Sequence, residues 1–179
     1  MSLGLLVVMP FAVRVAFGSP SVHFEPVVGY ERAFKATPTP HTNLRFLYGF
    51  RAVAGYSLLS GELEATRAGD SESYPADAKI IDETSDKLKV GLRTSATGPY
   101  GSAFFRVGGQ AQRLSRTTTI SSVATKTQDP ISVRPYAGVG AELGGRTFRM
   151  TGAATMVFRD TSDWQQNEVE TTLGFKFGL

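Results

Sequence analysis

The groups in this 179-residue sequence that could act together are charges set at every second position of apolar stretches. Glu25, Glu31, Arg45, Arg51, Glu62, Glu64, Arg106, Arg134, Glu142, Arg149 and Lys176 all fall on the polar side of such alternation, as do Lys87, Lys89, Arg93, Glu168 and Glu170. Acids and bases are nearly balanced. Inside a narrow structure that balance suits a salt-bridged plug, because an isolated buried charge is costly; the other use of such a set is an ion pathway. The remaining chemistry is thin. His23 and His41 are the two histidines, and His41 with Asp70 and Ser71 would supply the base, acid and hydroxyl of an acyl-transfer site. Cysteine is absent, which removes disulfides, thiol catalysis and thiolate metal sites. No phosphate-binding loop, dinucleotide fingerprint or metal-ligand cluster is present, so the sequence assigns no catalytic, cofactor-binding or metal residues.

The elements that must carry those charges are strands. Val169 to Leu179 alternates without a break: Val169, Thr171, Leu173, Phe175, Phe177 and Leu179 face one way, Glu170, Thr172, Gly174, Lys176 and Gly178 the other. The same period of two recurs over 22–34, 43–56, 59–67, 85–94, 100–114, 131–143 and 146–159, which makes about eight strands. Most run to ten residues or more, against an ordinary strand length of about five or six; a tilted strand needs about 9 to 11 to cross a bilayer. The connections alternate as well. Those after the second, fourth and sixth strands are short, while 35–42, 68–84, 115–130 and 160–166 read as longer polar loops. Short turns at one rim and long loops at the other predict an all-β, eight-stranded antiparallel up-and-down barrel. A first hairpin turning near residue 38 would set Glu31 opposite Arg45 and Glu25 opposite Arg51, and opposed opposite charges stabilise an antiparallel pair. Gly144-Gly145 suits a two-residue turn with positive φ at both positions, leaving Glu142 diagonal to Arg149.

Composition decides little by itself. The formal charge is +3 and the charges are scattered, with no Lys/Arg cluster to suggest nucleic acid. After the N-terminus no apolar run reaches about 18 residues, so no transmembrane helix is expected there, and a barrel hides its hydrophobicity in alternation. Residues 1–18 read as a signal peptide, with an apolar core over 3–13 and small residues before a cut after Gly18, leaving 19–179 as the barrel domain. A soluble lipocalin-type barrel would turn the apolar face inward. The polar face argues for the reverse. It is rich in glycine, which weakens a water-exposed strand but makes room for Arg and Glu inside a narrow barrel. The apolar face carries Phe24, Tyr30, Phe46, Phe148, Phe158, Phe175 and Phe177 near strand ends, as interfacial girdles require. Phe104, on the polar face, breaks the pattern.

Two segments carry a family resemblance. Leu173-Gly174-Phe175-Lys176-Phe177-Gly178-Leu179 is similar to the C-terminal signal read by the barrel-assembly machinery, with Leu179 where the family usually ends in an aromatic residue. Gly49-Phe50 through Ala54-Gly55-Tyr56 is similar to a strand-to-periplasmic-turn pattern. Over 19–179 the chain resembles the small eight-stranded outer-membrane barrels of Gram-negative bacteria, the OmpA transmembrane domain and OmpX-like group. The resemblance implies location in the cell outer membrane, a lipid and lipopolysaccharide environment, assembly through Leu173, Phe175, Phe177 and Leu179, and no cofactor. It implies a non-enzymatic role in envelope integrity or in surface contact through loops 68–84 and 115–130. The His41, Asp70 and Ser71 set resembles the lipid-A palmitoyltransferase barrels, the competing enzymatic reading.

Overall fold

The computed structural model describes residues 20–35, 40–56, 58–145, 148–159, 163 and 166–177; residues 1–18, read above as a signal peptide, and Leu179 lie outside them. Among the described residues there are nine strands: β1 (Ser21–Lys35), β2 (His41–Gly55), β3 (Leu59–Tyr74), β4 (Lys79–Thr97), β5 (Gly101–Ile120), β6 (Val123–Gln128), β7 (Ser132–Gly144), β8 (Phe148–Val157) and β9 (Glu168–Phe177). All pairings are antiparallel. Eight strands close a ring, β1-β2-β3-β4-β5-β7-β8-β9, which β1 completes by pairing with β9; β6 is a short addition to β5.

The registers fix the barrel's stagger. Val22 opposes Ala54, and the line continues through Gly61, Leu92, Val107, Ala137, Met156 and Val169 to Arg32. One circuit therefore returns to β1 ten residues further on. Stagger and strand tilt are linked in a closed barrel, and this one belongs to the class tilted by about 35–45°.

The alternation sorts the wall as the sequence does. Glu25, Glu31, Arg51, Glu64, Lys89, Arg106 and Glu170 are fully enclosed. Val22, Phe24, Tyr30, Phe46, Phe50, Leu92, Val133 and Val139 are exposed. The apolar interior of a lipocalin-type barrel is thus absent among the described residues. On β7 the outward positions from Val133 to Leu143 carry only Val, Ala, Leu and Pro135. Ten residues at about 3.3 Å, tilted by about 40°, span about 25 Å, the height of the apolar band of outer-membrane barrels.

Three expectations change. First, the polar segments 68–84 and 115–130 are mostly strand. β3 and β4 pair out to Tyr74 and Lys79 across a short 3-10 turn (Pro75–Asp77), β4 and β5 stay paired to Lys79 and Ile120, and β5 turns back into β6. A four-stranded fin, β3-β4-β5-β6, therefore rises from the long-connection rim. Ser121 and Ser122, with φ of 48° and 70°, form its two-residue turn, the positive-φ pair a tight hairpin demands. Lys35, His41 and Thr42 are strand too, and the first connection shrinks to 36–40. Second, the last pair is Gly144 with Arg149, so four residues, 145–148, not two, lie between the last paired positions of β7 and β8; Gly144 has φ of 135°. Arg149 is diagonal to Glu142 in either register. Third, the room left by lumen glycines goes to aromatic rings as well as to charged chains. A Cβ on Gly91 would meet the Tyr136 hydroxyl at 2.3 Å, and one on Gly140 would meet the Phe104 ring at 2.2 Å. Phe104 is buried inward, which resolves its exception to the pattern.

Candidate functional site

β1 and β2 pair with Glu25 opposite Arg51 and Glu31 opposite Arg45. Across the lumen the charges join. Arg51 donates to Glu64 at 2.7 Å and to Glu25 at 3.2 Å. Glu64 also accepts from Lys89 at 2.7 Å and from Arg106 at 2.9 Å, and Arg106 reaches Glu62 at 2.6 Å. Lys89 pairs with Glu170, which Lys87 contacts at 2.9 Å along with Glu31 at 2.5 Å and Glu168 at 3.0 Å. Towards the fin Arg45 binds Glu83 at 2.5 Å and Asp70 at 2.7 Å. Lys35 binds Asp70, Glu72 and Glu83 at 2.6, 2.7 and 3.1 Å. One connected set of ion pairs thus runs from Glu25 to Glu72, along most of the barrel.

The sequence-assigned residues divide between this set and the two mouths. Glu25, Glu31, Arg45, Arg51, Glu62, Glu64 and Arg106 belong to the set. Arg134 stands at the fin-side mouth, 3.8 Å from Glu168, which Arg159 approaches at 3.3 Å. Glu142, Arg149 and Lys176 stand at the opposite mouth, where Glu142 pairs with Arg93 and lies 3.7 Å from Arg149. Leu173 faces outward and Phe175 is half-buried. Lys35, Glu72 and Glu83 escape the sequence reading because their segments read as loops; Asp70 is read there only as part of the acyl-transfer set, and Asn43 lies on the polar face of the second strand without a charge. Glu62, Glu64, Thr66, Ala68, Asp70 and Glu72 form one unbroken inward alternation on β3, but Arg67 and Ala68 reverse its polarity in the sequence and hide it.

That alternation also dissolves the acyl-transfer constellation. Asp70 points inward to Lys35, Asn43 and Arg45, while Ser71 points outward and is exposed. His41 faces Glu72 at 3.2 Å.

Among the described residues, the outer wall carries charge only near its fin-side rim and on the fin. Arg67 donates two bonds to Asp86, at 2.6 and 3.1 Å, beside Tyr48.

Beyond the apolar band, Glu72 accepts bonds from Lys35 at 2.7 Å and from Tyr74 at 2.6 Å. Burial opposes its ionisation, but the hydrogen bonds from Lys35, Tyr74 and His41 win and bring its carboxyl down to about 2. A depressed carboxylate contributes stability above its ordinary value near 4.5 and loses it as pH falls through the folded value. The cluster at the root of the fin is therefore expected to survive from neutral pH to below pH 4. NMR titration of Glu72 should give a midpoint near 2, moved up towards 4.5 in Lys35→Gln; a midpoint near 4.5 in the unmodified chain would show the cluster is not formed.

No protein-family model matches the chain, and no curated protein sequence does. Solved structures do. The crystal structure of Neisserial surface protein A (NspA) matches with a TM-score of 0.64 at 7% identity, covering 90% of this chain and 100% of that one. Ail, the attachment invasion locus protein of Yersinia pestis, in complex with the heparin analogue sucrose octasulfate, matches with a TM-score of 0.54 at 12% identity, covering 87% and 97%. The fold is that of the small eight-stranded outer-membrane β-barrels of the OmpA and OmpX-like type.

Proposed function

We propose that this chain is a non-enzymatic protein of the Gram-negative outer membrane, with a lumen closed by ion pairs and a fin that contacts other surfaces. The outward apolar band supports the location, and the densely ion-paired lumen supports closure. In this reading residues 1–18 direct export, and Leu173, Phe175, Phe177 and Leu179 address the barrel-assembly machinery. The observation that carries surface contact is the fin. Ion pairs hold its root at Lys35, Asp70 and Glu83, and its β6 strand pairs, among the described residues, with β5 alone. An open strand edge is a template for an incoming strand. The partner would be a protein segment on a host, phage or neighbouring-cell surface.

Fractionation, gel mobility and limited trypsin treatment of intact cells test this together. The protein should sediment with membranes, change mobility only on boiling, and be cut at exposed Lys126 in β6 without permeabilising the cells. Replacing 123–128 by a Gly/Ser linker of equal length should leave the boiling shift and abolish adhesion to the partner surface. A protein soluble without detergent would end the lipid-facing reading, and protection of Lys126 in intact cells would invert the orientation.

A second reading has its own support. Ail was crystallised with a heparin analogue, and here Arg134 and Arg159 share Glu168, already bound by Lys87. A cavity of about 420 Å³ at the fin-side mouth, lined also by Arg116, has the charge to hold a sulfated saccharide. Sucrose octasulfate binding that disappears in Arg134→Gln would favour it over strand capture.

A further inference from the structure

The opposite mouth, at the short-turn rim, holds more positive charge than its carboxylates balance. A cavity of about 140 Å³ opens there between Arg93, Arg149, Lys176 and Glu142. Arg93 is only 3% exposed and lies over the Phe104 ring, 3.6 Å from its centre. One of its nitrogens pairs with Glu142, yet Nη1 is buried with no hydrogen-bond partner. A buried donor left unmade costs its desolvation, so this atom is placed for something else. Arg149 and Lys176 supply a second, independent sign. They stand directly opposite one another on β8 and β9, and both line the cavity. Like charges so opposed are destabilising. Glu142 is the one carboxylate lining the cavity among the described residues, and it is already shared by Arg93 and Arg149. Lys176 makes no ion pair among the described residues.

We propose that this mouth binds a small tetrahedral oxyanion, phosphate or sulfate, held by Arg93 Nη1, Lys176 and Arg149. The hydroxyls of Ser95 and Ser102 also line the cavity, and its size leaves room for such an ion with part of its hydration. The site lies inside the ring of strands, so the occupant is a free solute rather than a lipid headgroup. A cation is the competing occupant, since His23, Glu25 and Glu142 place ligand atoms within 4.8 Å of one another. Charge decides against it. Glu25 is held by Arg51 at 3.2 Å and Glu142 by Arg93. With Arg149 and Lys176 added, two carboxylates face four cationic side chains, a field that repels a divalent ion and attracts an anion.

The test uses the full chain folded in phosphate-free detergent, with the boiling shift as the check on folding. Inorganic phosphate, sulfate and zinc are titrated separately at constant ionic strength, following the Arg93 Nε–H signal by NMR. Phosphate or sulfate should saturate this signal. Lys176→Gln and Arg149→Gln should each weaken binding by about tenfold or more, the scale of one charge-assisted contact. Arg67→Gln, on the exposed outer wall, should leave it unchanged. A response that never saturates, an affinity untouched by Lys176→Gln, or saturable zinc binding lost in His23→Ala would each overturn the proposal.

Discussion

Glu64→Ala is expected to destabilise the folded barrel by about 3–5 kcal/mol, the cost of removing one partner from a buried ion pair. Glu64 is fully enclosed and accepts from Arg51, Lys89 and Arg106. Without it three cations converge on a buried gap with no shared acceptor. Arg51 keeps Glu25, Arg106 keeps Glu62 and Lys89 keeps Glu170, but each loses a short, charge-assisted bond at a position where no other carboxylate reaches all three. Arg149→Ala is the control. Its side chain is 43% exposed, and exposed pairs contribute about 0–1 kcal/mol. Urea unfolding of both variants in the same vesicles measures the difference, provided the slopes agree. A loss below about 1 kcal/mol for Glu64→Ala would mean that water screens the lumen, and the closed-plug reading would fall.

The barrel wall was legible in the sequence because the bilayer-facing band contrasts with the lumen at every step. Leu88, Val90 and Leu92 against Lys87, Lys89 and Gly91 cannot be mistaken for loop. The fin was not legible, for the same physical reason. Beyond the band both faces meet water, so the contrast on which the period of two depends disappears. Ser71 and Ser73 alternate with Glu72, and Thr117 and Thr119 with Arg116 and Thr118; to a hydrophobicity pattern these are uniform. The turn at Ser121-Ser122 also lacks the Asn-Gly or Asp-Gly that usually marks two positive-φ residues. The mouths were half-legible. Arg134, Arg149 and Lys176 stand out as polar-face charges, but that Arg149 and Lys176 oppose each other depends on the β8–β9 register, which hydrophobic alternation alone does not set.

Val139→Arg is expected to cost about 2–4 kcal/mol if the wall faces lipid, the penalty for arginine near the midplane of an outer-membrane barrel. Val139 is 58% exposed on β7, between Phe105 of β5 and Ala154 of β8, midway along the outward apolar run from Val133 to Leu143. The substitution removes little packing, because the side chain already points away from the protein. In water such a change falls within about 0.5 kcal/mol. Thr117→Arg provides the internal reference: it points from the same surface of the sheet, on the fin beyond the apolar band, between Asp82 of β4 and Lys126 of β6, whose opposite charges offset one another. Both variants add the same side chain to an antiparallel wall, and they differ chiefly in height along the barrel. A large loss for Val139→Arg with none for Thr117→Arg therefore measures the hydrocarbon around the wall, whereas equal small effects would mean that water reaches Val139 and that the outward apolar band has a protein partner instead of lipid.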